Sequence, residues 1–141
     1  MITLDANVLI ARWDQFDSTH ERAVEVLDHH EWDEFITPAV TLAEVLVRPV
    51  RRAWADQYLR RIDALGVLVV PVEDDDAAGI ASLCAHHRLA IPDAVALHTA
   101  MMTSDALVTF DAKLARVARA IGFPVIDRAP DDLEWDAPWA A

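Results

Sequence analysis

The 141-residue sequence predicts a single α/β domain built on a parallel sheet of about five strands. Three observations carry this. Apolar runs of strand length alternate with helical patterns along the chain, as in βαβ units. Two of those runs, Val67–Val70 and Ala106–Val108, lack polar alternation, as strands covered on both faces do. At this length, with 54% hydrophobic residues, the chain can build one packed core and has no room for a second.

Taken in order, Ile2–Leu4 reads as a short strand ending at Asp5, and Asn7–Ala11 opens the first helix. His20–His30 is a second helix, with Ala23, Val26 and Leu27 at helical spacing. Glu34–Thr37 is a brief strand closed by Pro38. Ala39–Val47 is helical and is expected to stop at Pro49, since proline removes a backbone donor. Arg51–Ala64 is expected to be one helix with Trp54, Tyr58, Leu59 and Ile62 on one side, ended by Gly66. Val67–Val70 is a strand, Asp76–His87 a helix, and Pro92–Met102 a helix with proline in its first turn. Ala106–Val108, the helix Ala112–Ile121 closed by Gly122, and the strand Pro124–Ile126 complete a domain spanning 1–129. An acidic tail, 130–141, carries Trp135 and Trp139, and its expected role is a loosely packed terminus or a docking segment.

A single cysteine, Cys84, excludes an internal disulfide and is expected to be a small core residue. The sequence predicts no signal peptide, because Met1 leads almost directly into a strand pattern. The longest apolar stretch, Ala64–Val72, is far short of the roughly 18 residues that suggest a membrane span. A soluble, cytoplasmic protein is therefore expected. With 24 acidic and 12 basic residues, the net charge is −12, which argues against a simple nucleic-acid binder. Net charge governs solubility and steering, however, and does not decide the chemistry of one cleft.

Four acids stand out. In an open parallel sheet, functional groups gather beyond the carboxyl ends of the strands. Asp5 and Asp111 both follow strands. Glu44 is the only charged residue between Thr37 and Val47, and Asp93 stands alone in the stretch Ala90–Leu97. Each acid has an ordinary structural explanation. Asp5 and Asp111 can cap helices, Asp93 can favour a helix dipole, and Glu44 can pair with Arg48 one turn on. The functional reading explains all four together. Clustered carboxylates repel and stay partly protonated unless a cation joins them. Mg²⁺ or Mn²⁺ prefers such oxygen ligands, and water acidified by the metal can attack a phosphodiester. The serines Ser18, Ser82 and Ser104, like Cys84, lack a triad context, and the six histidines form no metal-ligand pattern. His98 is expected at the core or its rim, and Glu73–Asp76 as a solvated helix start.

The stretch ITLDANVLI resembles the opening of PIN domains, with Asn following the strand-ending Asp by two residues. PAVTLAEVL, LAIPDAVALHTA and ALVTFDAKLARV resemble the family's second, third and fourth motifs, in family order across residues 1–126. The chain looks most like the VapC-type toxins of toxin–antitoxin pairs. That resemblance implies a three-layer fold with sheet order 3-2-1-4-5 and a Mg²⁺- or Mn²⁺-dependent endoribonuclease acting on RNA. It also implies homodimerisation and inhibition by a small antitoxin. It assigns the acidic roles, catalytic and metal-binding, to Asp5, Glu44, Asp93 and Asp111, and ligand orientation to Asn7, Thr41 and Thr109.

Arg48, Arg51, Arg52, Arg60 and Arg61 place five of the 12 basic residues within a short stretch. They are either a solvated helix face or RNA-phosphate contacts. Two alternatives stand beside the nuclease. A haloacid-dehalogenase-like phosphatase also uses an Asp after strand one but needs a second at the position of Asn7. A catalytically inactive PIN fold would serve as an interaction module.

Overall fold

The computed structural model describes residues 1–131, so Trp135 and Trp139 lie outside the described residues. The chain runs β1 (Ile2–Leu4), α1 (Ala6–Trp13), α2 (His20–His29), β2 (Phe35–Pro38), α3 (Ala39–Arg51) and α4 (Ala55–Ala64). It continues through β3 (Val67–Val70), a 3-10 turn (Asp74–Asp76), α5 (Ala77–His87), α6 (Ile91–Thr103), β4 (Ala106–Val108), α7 (Ala112–Ile121) and β5 (Val125–Ile126). The five strands form one parallel sheet in the order β3-β2-β1-β4-β5.

The alternation of side chains along the strands splits the core into two. Val108 of β4 joins Ile2, Leu4, Val8, Leu9, Val26, Phe35, Val45 and Ile62 on one face. Leu107, its neighbour, joins Ile80, Leu83, Val95, Leu97, Leu114 and Val117 on the other. Successive strand residues point to opposite faces, so α1, α2 and α4 cover one side and α5, α6 and α7 the other. Cys84 is half-buried at the margin of the second core rather than inside it.

Three expectations need correction. Helix α3 does not stop at Pro49 but runs through it to Arg51. Pro49 is buried, and it removes only one backbone bond near the end of the helix, which its packing offsets. The long helix expected over Arg51–Ala64 is consequently shorter. A turn with Ala53 at φ 58° separates Arg51 from α4, and the Trp54 N–H donates to the Pro49 carbonyl at 2.7 Å. Strand β3 is not covered on both faces. It is the edge of the sheet, and Leu68 remains 58% exposed. Gly122 ends α7 with φ 90°, the left-handed conformation that glycine adopts without a Cβ clash. No helix among the described residues is long and apolar enough to cross a membrane.

β1 pairs with both β2 and β4. The first two crossovers lead to one side of β1 and the later strands lie on the other, so the chain order reverses between β1 and β4. A crevice at the carboxyl ends of the strands is expected at such a switch point.

Candidate active site

Both flanks of that crevice carry an acid. Asp5 directly follows β1, and its backbone N–H donates to the Val108 carbonyl of β4 at 3.0 Å. Its carboxylate is held on both oxygens. Oδ1 accepts from the Ala6 N–H at 2.8 Å, and Oδ2 accepts from the Thr109 hydroxyl at 2.8 Å. Thr109 Oγ1 in turn accepts from the Asp111 N–H at 3.1 Å. Asp111 caps α7, its Oδ1 accepting from the Leu114 N–H at 2.8 Å. The Asn7 amide oxygen accepts from the Phe110 N–H at 3.3 Å, tying α1 to the loop that bears Asp111. The capping explanation is thus true of Asp5 and Asp111 in structural terms, and Thr109, donating to Asp5 and accepting from the Asp111 N–H, links the two into one network.

The other two acids arrive on helices. Because α6 leads into β4 of a parallel sheet, its N-terminus lies at the edge where the strands end, and Asp93 sits in its first turn. Glu44 comes from α3, which begins directly after β2. The pairing of Glu44 with Arg48 does not occur; Arg48 lies 3.5 Å from Asp14 instead. Thr41, on the same helix, is fully buried, and its hydroxyl has no hydrogen-bond partner among the described residues. Such an orphan is uncommon in a protein interior.

The acids feel one another. Burial pushes the Asp5 carboxyl up to about 6, its bonds to Thr109 and Ala6 oppose this, and the charges of Asp93 and Asp111 add to the rise. Partial burial raises Glu44, with Asp5 and Asp93 adding to it. Asp93 is raised by partial burial and by Asp111, against a smaller lowering by Lys113. Every pair of the four acids acts on one another in this way except Glu44 and Asp111, so the four form one group, called a row below, in which those two are the least coupled.

Among the described residues, no three His, Cys, Asp or Glu side chains converge closely enough to enclose a metal ion. The donor set nevertheless suits a hard divalent cation. It consists of oxygens alone, includes a carboxylate raised by burial and by its acidic neighbours, and has the orphaned Thr41 hydroxyl on the helix that bears Glu44. Mg²⁺ also keeps several waters and needs only one or two protein carboxylates in direct contact.

Two clefts adjoin the row. Beside Glu44, a groove of about 530 Å³ is walled by Arg12, Arg48, Arg52 and Arg61 together with Trp13, Phe16, Trp54 and Tyr58. Beside Asp111, a cleft of about 370 Å³ is lined by Arg22, Phe110, Arg116, Arg119 and Asp127. The arginine cluster expected from the sequence therefore divides. Arg48, Arg52 and Arg61 line the groove, whereas Arg51 and Arg60 do not. Arg12, Arg22, Arg116 and Arg119 escaped the sequence reading, because they lie outside the dense run and reach the site only through folding. Arg22 packs 4.1 Å from the centre of the Phe110 ring, a partner remote in sequence.

Comparisons with known proteins agree with this architecture. No curated protein sequence matches the chain. Among solved structures, VapC20 of Mycobacterium tuberculosis, described as a sarcin-ricin loop cleaving toxin, matches with TM-score 0.74 and 20% identity over 92% of this chain and 100% of that one. A toxin–antitoxin complex from Klebsiella pneumoniae matches with TM-score 0.71 and 20% identity, over 93% of this chain and 100% of the other. FitAcB from Neisseria gonorrhoeae matches with TM-score 0.68 and 23% identity, over 90% and 97% respectively. At these identities the likeness is one of fold. The sequence profile of the PIN domain matches residues 2–120, most of the chain, and with the sheet order found here the chain belongs to the PIN-domain family.

Proposed function

We propose that the protein is a toxin-type endoribonuclease that uses Mg²⁺ or Mn²⁺ and is inhibited by a cognate antitoxin. The observation that carries this reading is the row of four acids at the β1/β4 switch point. Glu44 and Asp93 in that row have raised carboxyl pKa values, from partial burial and from neighbouring acids, and for Asp93 the charge of Lys113 opposes the rise only in part. The names of the structural relatives support the biological role: one is a loop-cleaving toxin and another a toxin–antitoxin complex.

Asp5, Glu44, Asp93 and Asp111 are the residues that would hold the cation. When bound, it supplies Lewis acidity at the phosphodiester and makes water a better nucleophile. The protein's own part is largely positioning. Ala6 and Thr109 fix both oxygens of Asp5. Asn7 fixes the loop of Asp111 through the Phe110 N–H, and Thr41 offers a buried hydroxyl on the helix of Glu44. Glu44, exposed beside the groove and raised in pKa, is placed to accept a proton from an attacking water at its carboxylate. The phosphatase alternative is disfavoured because position 7 holds an amide already engaged with Phe110. Retention of all four acids disfavours an inactive interaction module.

A homodimer and a basic antitoxin complete the proposal. The net charge of −12 draws a basic partner, and a guanidinium can bridge two carboxylates of a metal-free row. The test is cleavage of RNA by purified protein with Mg²⁺ or Mn²⁺. Loss of cleavage in folded Asp5→Asn and Asp93→Asn supports the assignment, and wild-type rates in both overturn it.

A further inference from the structure

Seven of the 12 basic residues of this acidic chain line the two clefts that adjoin the row of acids, four in the groove beside Glu44 and three in the cleft beside Asp111. Surface charge spread evenly would not collect there. A strand crossing the row must bring its own negative charge past four carboxylates. Cations at both ends of the row are what such a strand needs.

The two ends differ in chemistry. In the cleft beside Asp111, Arg119 is already paired with Asp127 at 3.1 Å. Arg22 and Arg116 have no ion-pair partner among the described residues. The Arg22 guanidinium is laid over the Phe110 ring, and its Nε is buried without a hydrogen-bond partner. Cation–π packing restrains the fork, so less freedom is lost when it grips a phosphate. Phe110 stands between Thr109, which binds Asp5, and Asp111, so this guanidinium is anchored to the loop that carries the acids.

The groove beside Glu44 is aromatic as well as basic. Trp13 and Tyr58 are committed to each other, edge to face, with ring centres 6.0 Å apart. Phe16 is 89% exposed; Trp54 is 48% exposed and has the Arg52 guanidinium 5.7 Å from its ring centre. An open phenyl ring and an indole with Arg52 on one side, in a groove with arginine walls, form a platform on which unstacked bases can lie. A duplex offers no free base faces to such a platform.

Resting on the ribonuclease reading, we infer that Arg22 and Arg116 form a phosphate subsite on the Asp111 side of the row, and that Phe16 and Trp54 form a base-stacking subsite on the Glu44 side. Together they draw an unpaired RNA strand across the acids. All four are positioning residues and take no part in bond breaking.

The test measures binding of a fluorescent, unstructured RNA oligonucleotide, and of the same sequence as a duplex, to the full chain in EDTA at several salt concentrations. Cleavage is measured separately with Mg²⁺. Phe16→Ala and Trp54→Ala are each expected to weaken single-strand binding roughly tenfold and leave the salt slope unchanged. Arg116→Ala and Arg22→Ala are each expected to reduce the salt slope by about 0.7, the value for one phosphate contact on a single strand. Arg116 and Phe16 are exposed, so their variants keep the test decisive if Arg22→Ala or Trp54→Ala fails to fold. Wild-type affinity and slope in all folded variants, or equal affinity for the duplex, would overturn the inference. A protein that cuts RNA while its variants bind like wild type refutes the subsites and leaves the nuclease reading standing. One that shows the expected binding pattern but cuts nothing upholds the subsites and sinks the nuclease reading.

Discussion

Asp5→Asn should inactivate the protein and, without metal, make it more stable. Asp5 is 5% exposed, and its carboxyl pKa lies near 6 in the folded chain against 3.8 ordinarily. The folded state therefore favours the protonated form. Below pH 3.8 the group is protonated in both states and costs nothing. As pH rises from there to about 6, the unfolded chain ionises first and stability falls; above about 6 the loss is complete. Two pKa units correspond to about 3 kcal/mol. Asparagine is neutral and caps helices about as well as aspartate, so the variant should recover about 2–3 kcal/mol near neutral pH, allowing for a weaker bond to Thr109. With a urea slope of about 2 kcal/mol per molar, the unfolding midpoint should rise by about 1 M. The assay is urea unfolding in EDTA across roughly pH 3 to 8, which brackets the window from 3.8 to about 6 over which this carboxyl ionises in the two states. The wild-type minus variant difference should appear only above about pH 4 and level off beyond about pH 6. Saturating Mg²⁺ should then stabilise the wild type and not the variant, because a ligand stabilises only the state that binds it. A variant that is no more stable than wild type at about pH 8 in EDTA would refute the argument that burial and like charge strain Asp5.

Cleavage is expected with Mg²⁺ or Mn²⁺, absent in EDTA, and not specifically restored by Zn²⁺, which favours nitrogen and sulfur ligands; full activity after exhaustive chelation would end the metal mechanism. Asp93→Asn should lower cleavage by at least about a hundredfold while circular dichroism stays unchanged, since among the described residues its carboxylate makes no hydrogen bond or salt bridge and only the charge of Lys113 favours it. Replacing Arg48 and Arg52 with Ala should flatten the salt dependence of RNA binding, whereas replacing Arg51 and Arg60 should not, because only the first pair lines the groove. Gly79→Ala should destabilise the fold by about 1–2 kcal/mol, read by thermal unfolding. The added methyl would overlap the His98 ring, whose Nε2–H donates to Asp76 Oδ1 at 3.0 Å, and this outweighs the better helix propensity of alanine.

Much of the architecture was legible because it rests on short-range signals. Strand-length apolar runs such as Ile2–Leu4 and Ala106–Val108 appear at their expected positions, and so do the helix ends marked by Gly66 and Gly122. The four candidate acids could be picked out for two different reasons: Asp5 and Asp111 each follow a strand, and Glu44 and Asp93 are lone charges in apolar helical stretches. Pro49 misled because a single local rule ignores tertiary packing: its burial holds α3 together past the point where an isolated helix would end. Val67–Val70 misled because an apolar run shows that a strand is buried somewhere, not whether it lies at the centre or the edge of its sheet.

The sequence by itself determined the fold class and the order of elements and singled out four candidate acids, since periodicity and local charge context are properties of neighbouring residues. Only the tertiary structure decided that the acids act on one another's ionisation, that Thr109 donates to Asp5, and that Arg48 turns to Asp14. It also decided which arginines meet the site. Arg22 reaches Phe110, and Arg52 shares a groove with Arg12, across gaps that no local pattern spans. The physical reason is that interaction energies depend on distance in space. The crossovers of a parallel sheet bring together, at the carboxyl ends of its strands, residues that the chain keeps far apart.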